Sequence, residues 1–249
     1  MKKLMLLMVG GMLLFLAGCE VTRDISIGAD GSGTVVTVTD MSSMIALAKM
    51  SGKANDLDKL GDKALDTTIS LSLFADSIPD LTADEKAFIR NGTLGLTIDP
   101  KSEKFVFRLQ FPFTDPSQIS HFDKLSSRVM QEAMKEKVGE AAGEAEGGGM
   151  PDASTDNYYK ITYAKGLIEK KLDKDKYAHV ADDEEMQALK QMAGMGMGNS
   201  TIIIHLPAPV KKAEGQNVSV SDDKRTVTIK SNAEDFFEDG ASQEFRIEY

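Results

Sequence analysis

The side chains best suited to metal chemistry form a methionine-rich stretch in the last quarter of the chain. Met192, Met195 and Met197 are separated only by alanine and glycine in the run MAGMGMG. Thioethers are soft ligands that suit Cu(I), so this spacing fits a copper carrier. The alternative is a pliable apolar loop that packs without metal, and no adjacent histidine or cysteine supports copper. The sequence therefore predicts no bound metal or cofactor, with these three methionines as the alternative metal site.

The histidines and the known catalytic motifs give little support to an enzyme. His121, His179 and His205 are far apart in sequence, and none has another histidine at metal-ligand spacing. His205 lies in an apolar segment, where a residue of the core or of a sheet edge is the simpler interpretation. The chain contains no G-x-S-x-G, H-E-x-x-H or phosphate-loop motif. We therefore predict no catalytic residue.

Two further segments have compositions that sometimes bind ions. Residues 28–33 contain three glycines with the spacing G-x-x-G-x-G, but they lie between two predicted strands and favour a hairpin turn. Residues 182–185 are all acidic, but they lack the alternation and the central glycine of a calcium loop. Acidic residues are common in the first turn of a helix, so this run predicts the start of a helix.

The N-terminal segment has the three regions of a secretion signal. Two lysines follow Met1, an apolar run extends from Leu4 to Ala17, and Gly18 precedes Cys19. The apolar run suits a signal peptide and is too short for a comfortable transmembrane helix. Cys19 is the only cysteine, so it forms no disulfide within the chain and its thiol needs another explanation.

The residues Leu16-Ala17-Gly18-Cys19 resemble the lipobox of bacterial lipoproteins. This resemblance implies that residues 1–18 are a signal peptide, cut off before Cys19 after its thiol receives a diacylglyceryl group. The new amino group would then be acylated, which fits the need for more than one acyl chain in stable anchoring. In Gram-negative sorting an aspartate after the cysteine retains the protein at the inner membrane. Glu20 at this position favours the outer membrane, with the protein facing the periplasm.

Composition limits the partners that this protein could have. The net charge is −10, which disfavours nucleic acids and anionic lipid headgroups. Hydrophobic residues make up 41% of the chain, enough for a packed core. Tryptophan is absent, which argues against a module that stacks sugars on aromatic side chains. The expected partners are the membrane, through the lipid, and an envelope protein.

Alternation of apolar and polar residues predicts an α+β fold with a mostly antiparallel sheet built from hairpins, together with several helices. The clearest hairpin joins Leu94–Ile98 to Phe105–Phe111, where apolar residues occupy every second position. Helical composition is found in residues 41–49 and 56–65. Residues 67–74 are ambiguous, because Ile69, Leu71 and Leu73 fit either a strand or a continuing helix.

The chain is predicted to fold as one domain after the signal peptide. Residues 19–138 and 156–249 are two α+β regions that we expect to pack together. Residues 139–155 are rich in glycine, alanine and glutamate and predict a flexible loop between them. This organisation resembles that of Gram-negative envelope lipoproteins as a group, a resemblance that implies no specific activity.

Two classes of function remain open from the sequence. The preferred one is a membrane-anchored envelope lipoprotein with a non-catalytic binding or scaffolding role. The alternatives are an envelope hydrolase that uses dispersed Asp and Glu residues, or a methionine-based copper carrier. A deep polar pocket with two carboxylates about 5–10 Å apart would favour the hydrolase. A shallow surface with an exposed apolar patch would favour binding.

Overall fold

Two open β-sheets and a few short helices make up the fold, which is α+β as predicted. The computed structural model describes residues 20–43, 45, 64–73, 75–99, 101–137, 154–194 and 198–249. The predicted signal peptide, Cys19, most of the helical segments 41–49 and 56–65, and residues 139–153 of the predicted loop lie outside the described residues. No helix among the described residues is long and apolar enough to cross a membrane.

The described residues form twelve strands and five α-helices with these bounds. The strands are β1 (Glu20–Ile27), β2 (Gly33–Asp40), β3 (Leu65–Ser70), β4 (Thr93–Asp99), β5 (Lys104–Phe113), β6 (Tyr159–Ala164), β7 (Leu167–Leu172), β8 (Asn199–His205), β9 (Lys212–Glu214), β10 (Val218–Val220), β11 (Thr226–Asn232) and β12 (Phe245–Glu248). The helices are α1 (Ala83–Arg90), α2 (Ile119–Lys137), α3 (Lys174–Tyr177), α4 (Glu184–Ala193) and α5 (Ala233–Glu238). Short 3-10 turns cover Leu71–Leu73, Pro116–Gln118, Thr155–Tyr158, Val180–Asp182 and Gly240–Gln243.

The larger sheet has eight strands in the order β10-β11-β8-β1-β2-β5-β4-β3. All its neighbouring strands are antiparallel except β1 and β8, which are parallel. The smaller sheet has the order β6-β7-β12-β9 and is antiparallel throughout. Four of the ten strand pairs in the described residues are hairpins joined by short turns, as the alternation predicted: β1–β2, β4–β5, β6–β7 and β10–β11. The parallel pair joins segments about 180 residues apart in the sequence, and no local pattern announced it.

One continuous apolar core joins the two sheets. The inward-facing side chains of the larger sheet, such as Ile25, Leu109 and Phe111, are buried together with Ile168 and Ile247 of the smaller sheet. This core therefore draws on both predicted α+β regions, 19–138 and 156–249. Burial of apolar area at about 25 cal/mol per Å² is the main force that holds the two sheets together.

Two helical segments begin at side-chain caps, and strand pairing decides the structure of the first residues of the ambiguous segment 67–74. Thr82 and Glu85 form a capping box at the start of α1. Asp115 caps the 3-10 turn that leads into α2 at Ile119. Residues 65–70 form β3, and Leu71–Leu73 form a 3-10 turn, so the predicted helix 56–65 was wrong at Leu65. Pairing with β4 decides the outcome, because it places Ile69 beside Leu94 on the apolar face.

The β1–β2 hairpin depends on a close backbone approach at Gly33. A Cβ at this position would lie 1.9 Å from the carbonyl oxygen of Ser26 and 2.5 Å from the ring of Phe113. We expect Gly33→Ala to lower the free energy of unfolding by about 3 kcal/mol, because backbone and core must shift to admit the methyl group. Urea unfolding measures this loss.

The matched control is Gly95→Ala in β4 of the same sheet. There a Cβ would meet its nearest neighbour, Cβ of Arg108, at 3.4 Å, an ordinary contact. We expect a change within about 0.5 kcal/mol for this variant, as for most surface substitutions. Equal losses at the two glycines would show that the clash at Gly33 does not determine the hairpin.

Candidate functional site

The residues that the sequence offered as ligands do not form a metal site in the described part of the chain. Met192 lies in α4, whereas Cys19, Met195 and Met197 lie outside the described residues. No group of three His, Cys, Asp or Glu side chains among the described residues is placed to hold a metal ion. The histidines lie on three different elements, and two of them contact single carboxylates: His179 contacts Asp182, and His205 contacts Asp24.

The most unusual arrangement of charged groups lies between the two sheets. Asp156, in the 3-10 turn before β6, accepts a hydrogen bond of 2.6 Å from Nζ of Lys170 in the smaller sheet. Its other carboxylate oxygen lies 3.8 Å from the guanidinium of Arg23 in the larger sheet. Only 5% of the Lys170 side chain and 15% of the Arg23 side chain are exposed. One carboxylate therefore joins cations from both sheets.

Aromatic rings and an amide complete the surroundings of the two cations. The Lys170 ammonium lies 4.2 Å from the ring centre of Tyr159, and the Arg23 guanidinium lies 5.5 Å from that of Phe122. Lys170 also donates to Oε1 of Gln243 at 3.3 Å. The faces of aromatic rings attract cations, so these contacts offset part of the cost of removing the charges from water.

This surrounding keeps Asp156 ionised. Burial alone would favour the neutral acid, but the charges of Lys170 and Arg23 outweigh it and hold the pKa of Asp156 below its ordinary value. A group that stays ionised at neutral pH and already binds two cations is a poor proton donor or base. We interpret the Arg23–Asp156–Lys170 cluster as a structural link between the sheets.

This cluster could not be predicted from the sequence, which offers a single local hint. Asp156 directly follows the predicted flexible segment 139–155. The structure places Ser154 as the cap of the 3-10 turn that begins at Thr155. Lys170 occupies an inward position of β7 that alternation assigns to an apolar residue, and that mismatch was the one available hint.

A second polar group lies on the outward face of the larger sheet. Nε2 of His205 lies 3.1 Å from Asp24, and its Nδ1 lies 3.4 Å from the hydroxyl of Thr226. Three adjacent strands, β1, β8 and β11, present these side chains. Thr226, His205 and Asp24 are residue types that could serve as the nucleophile, base and carboxylate of a catalytic triad. However, about half of His205 is exposed, and strand N–H groups lie in the plane of the sheet, where they cannot stabilise an oxyanion above it.

An open cleft of about 340 Å³ lies beside the smaller sheet. Its glutamates already have partners. Glu169 accepts from Arg246 at 2.6 Å, Glu244 accepts from the backbone of Leu172 at 2.9 Å, and Glu214 pairs with Lys212 outside the cleft lining at 2.8 Å.

The carboxyl groups whose pKa is shifted in the described residues do not resemble the acid of a hydrolase. A glycosidase-type acid needs a carboxyl group whose pKa is raised. Where the surroundings shift a carboxyl pKa in the described residues, as at Asp156, Asp173 and Asp183, they lower it. The geometry thus gives no support to hydrolysis by paired carboxylates in this part of the chain.

Comparison with known proteins does not assign the chain to a family. No protein-family model, curated protein or solved structure matches it. A functional conclusion therefore depends on the sequence pattern at the N-terminus and on the geometry described above.

Proposed function

We propose that this chain is a cell-envelope lipoprotein, anchored through Cys19, with a non-catalytic binding or scaffolding role at the periplasmic face of the outer membrane. The observation that carries the proposal is the lipobox-like run that ends at Cys19, directly before the folded domain. Glu20 is the first residue of β1, and it already pairs with Asp40 on one side and Asn199 on the other. No spacer separates the proposed lipid from the centre of the larger sheet.

The charges near this end of β1 indicate that the protein would be held by its own acyl chains, rather than by contact with lipid headgroups. Glu20 and Asp40 are neighbours there, and α5 follows Asn232 with Glu234 and Asp235 in its first turn. An acidic surface is repelled by anionic headgroups. The acyl chains on Cys19 would therefore supply the affinity for the membrane.

The open faces of the sheets support binding rather than catalysis. Outward-facing residues alternate along β1, β2, β5 and β8, and none of them is buried. Side chains on this face include Thr22, Val36, Val38 and Thr201, with the longer Arg108 and Gln110 opposite the two valines. An open sheet face of this kind suits contact with another macromolecule better than enclosure of a small substrate.

The proposal is tested by the Cys19→Ser variant. We expect it to take up no fatty-acid label and to keep its signal peptide, because serine lacks the thiol that the lipid transfer requires. Metabolic labelling and the mass of the isolated protein measure both effects. Glu20→Gln is the matched control, since it changes the next residue and leaves the cysteine. Equal labelling of wild type and Cys19→Ser would contradict the lipid anchor.

A further inference from the structure

The free edge of β3 is the most exposed apolar feature of the described residues. Among the described residues, β3 ends the larger sheet and pairs with β4 on one side only. Leu65 at its start is 43% exposed, and Leu73 just beyond its end is 71% exposed. Edge strands present backbone groups that can pair with a further strand.

The direction of the backbone groups on β3 follows from one hydrogen bond. Leu71 N–H donates to the carbonyl of Gly92, which continues the pairing of β3 with β4. Backbone groups alternate sides along an antiparallel strand. The backbone N–H and C=O groups of the odd-numbered residues of β3 therefore bond to β4. Those of Asp66, Thr68 and Ser70 point to the free edge.

Within the described strand Leu65–Ser70, no residue has the features that usually prevent pairing at an edge. Natural edge strands are protected by lysine, proline, a bulge or an inward-pointing charge. The sequence of β3 is LDTTIS, and its single charge, Asp66, lies on the outward face with Thr97. The strand is six residues long, about the usual length of a paired strand.

We propose that two copies of this chain pair through their β3 strands, antiparallel, with Thr67 opposite Thr67 of the second copy. In this register Asp66 lies opposite Thr68 of the second copy. The backbone groups of these two residues that point to the free edge form the inter-chain hydrogen bonds. Leu65 then lies opposite Ile69 of the second copy, which extends the apolar row of each sheet. The larger sheets of the two copies become one continuous sheet.

A second copy is favoured as the occupant because the strand is complementary to itself. Leu65 lies opposite the apolar Ile69, and the two Thr67 side chains lie opposite each other at the two-fold axis. Each Asp66 lies opposite the hydroxyl group of Thr68. Two-fold pairing of one surface with itself is also the commonest symmetry of oligomers. One strand pair is a small interface, and confinement of both copies to a membrane would raise their effective concentration.

The pairing also fixes an orientation, a step that rests on the proposed lipid anchor. The two-fold axis is perpendicular to the joined sheet, so the two Glu20 residues, each next to a proposed anchor, lie at the same height along it. Both anchors enter one membrane when the joined sheet lies parallel to the lipid surface. The two sets of acyl chains would then hold the pair more firmly than one set holds a single copy.

Disulfide formation at Thr67→Cys in the full chain tests the pairing. Facing residues of a non-hydrogen-bonded antiparallel pair have Cα atoms about 4.5 Å apart, within disulfide range. We expect mild oxidation of membranes to link most Thr67→Cys chains into dimers. Thr97→Cys is the matched control, because Thr97 lies on β4, one strand from the edge. Equal linking of the two variants, or none at Thr67→Cys, would overturn the proposal.

Charge substitutions at the exposed Thr68 test the register. Lysine at this position would face Asp66 of the second copy, whereas aspartate would place like charges together, twice in each dimer. We expect Thr68→Lys to tighten the dimer and Thr68→Asp to weaken it, each by about fivefold, as measured by dimer fraction against concentration in detergent. Effects in the same direction would overturn this register.

The wild-type chain separates a failure of this inference from a failure of the lipid anchor. Cys19 is the only native cysteine, and lipid on its thiol would block oxidation. A disulfide in oxidised wild type would show a free Cys19 and would contradict the anchor, whereas the pairing is judged from the excess of dimer in Thr67→Cys over wild type.

Discussion

Asp156→Ala is expected to lower the free energy of unfolding by about 3–5 kcal/mol, because it leaves Lys170 and Arg23 as buried cations without their shared carboxylate. The Lys170 side chain is only 5% exposed, so water cannot replace the lost partner without opening the structure. Loss of the carboxylate also removes a contact that joins a cation of the larger sheet to a cation of the smaller sheet. Urea unfolding of the purified protein, with intrinsic tyrosine fluorescence as the signal, measures the change.

The double variant Asp156→Ala/Lys170→Met is the control that isolates the ion pair. Methionine keeps the length of the side chain and its contact with Tyr159 but removes the charge. We expect the double variant to be more stable than Asp156→Ala alone, since buried ion pairs can often be exchanged for apolar groups at little cost. A double variant whose loss equals the sum of the two single losses would show that Asp156 and Lys170 do not interact.

The same pair predicts how stability depends on pH. The folded pKa of Asp156 is lowered, so its contribution is fully present above the unfolded value of about 3.9 and is lost as pH falls through the folded pKa. The stability difference between wild type and Asp156→Asn should therefore be constant from pH 7 to about 5 and should shrink below about pH 4. A difference that persists unchanged at pH 2 would contradict the ionic interpretation.

Phe236→Ala is expected to lower the free energy of unfolding by about 3–5 kcal/mol, because it empties the centre of a second buried cluster that Phe236 forms with Tyr158, Tyr159 and Met186. The Phe236 ring is fully buried, and its centre lies between 5.1 and 6.1 Å from the ring centres of four aromatic residues. These residues are Tyr158, Tyr159, Tyr177 and Phe237. They come from β6, α3, α5 and the 3-10 turn before β6, so a cavity here loosens several elements at once.

Phe237→Ala is the matched control on the same helix. Phe237 is only partly buried and packs at the margin of the cluster, so we expect a loss of less than half that of Phe236→Ala. The free energy of unfolding of each variant is obtained from the midpoint and slope of its urea unfolding curve. Equal losses would mean that α5 contributes through its helical backbone, rather than through the packing of Phe236.

Helix caps and hairpins could be predicted from the sequence because their causes are local. Thr82 and Glu85 are three residues apart, and a capping box needs nothing else. The β4–β5 hairpin follows from alternation on both sides of a short turn, since successive strand residues face opposite sides. The α+β class could be inferred for the same reason, and the lipobox hypothesis also depends only on neighbouring residues.

Only the tertiary structure decided the features that depend on distant segments. β1 and β8 pair in parallel although most of the chain separates them, and no periodicity specifies which strands become neighbours. The Arg23–Asp156–Lys170 cluster likewise joins a first strand to a turn and strand far along the chain. Such contacts form because burial of two apolar faces brings the sheets together, and polar groups caught between them must then find partners. Local sequence determines each element, whereas the choice of its neighbours depends on the free energy of the whole packed core.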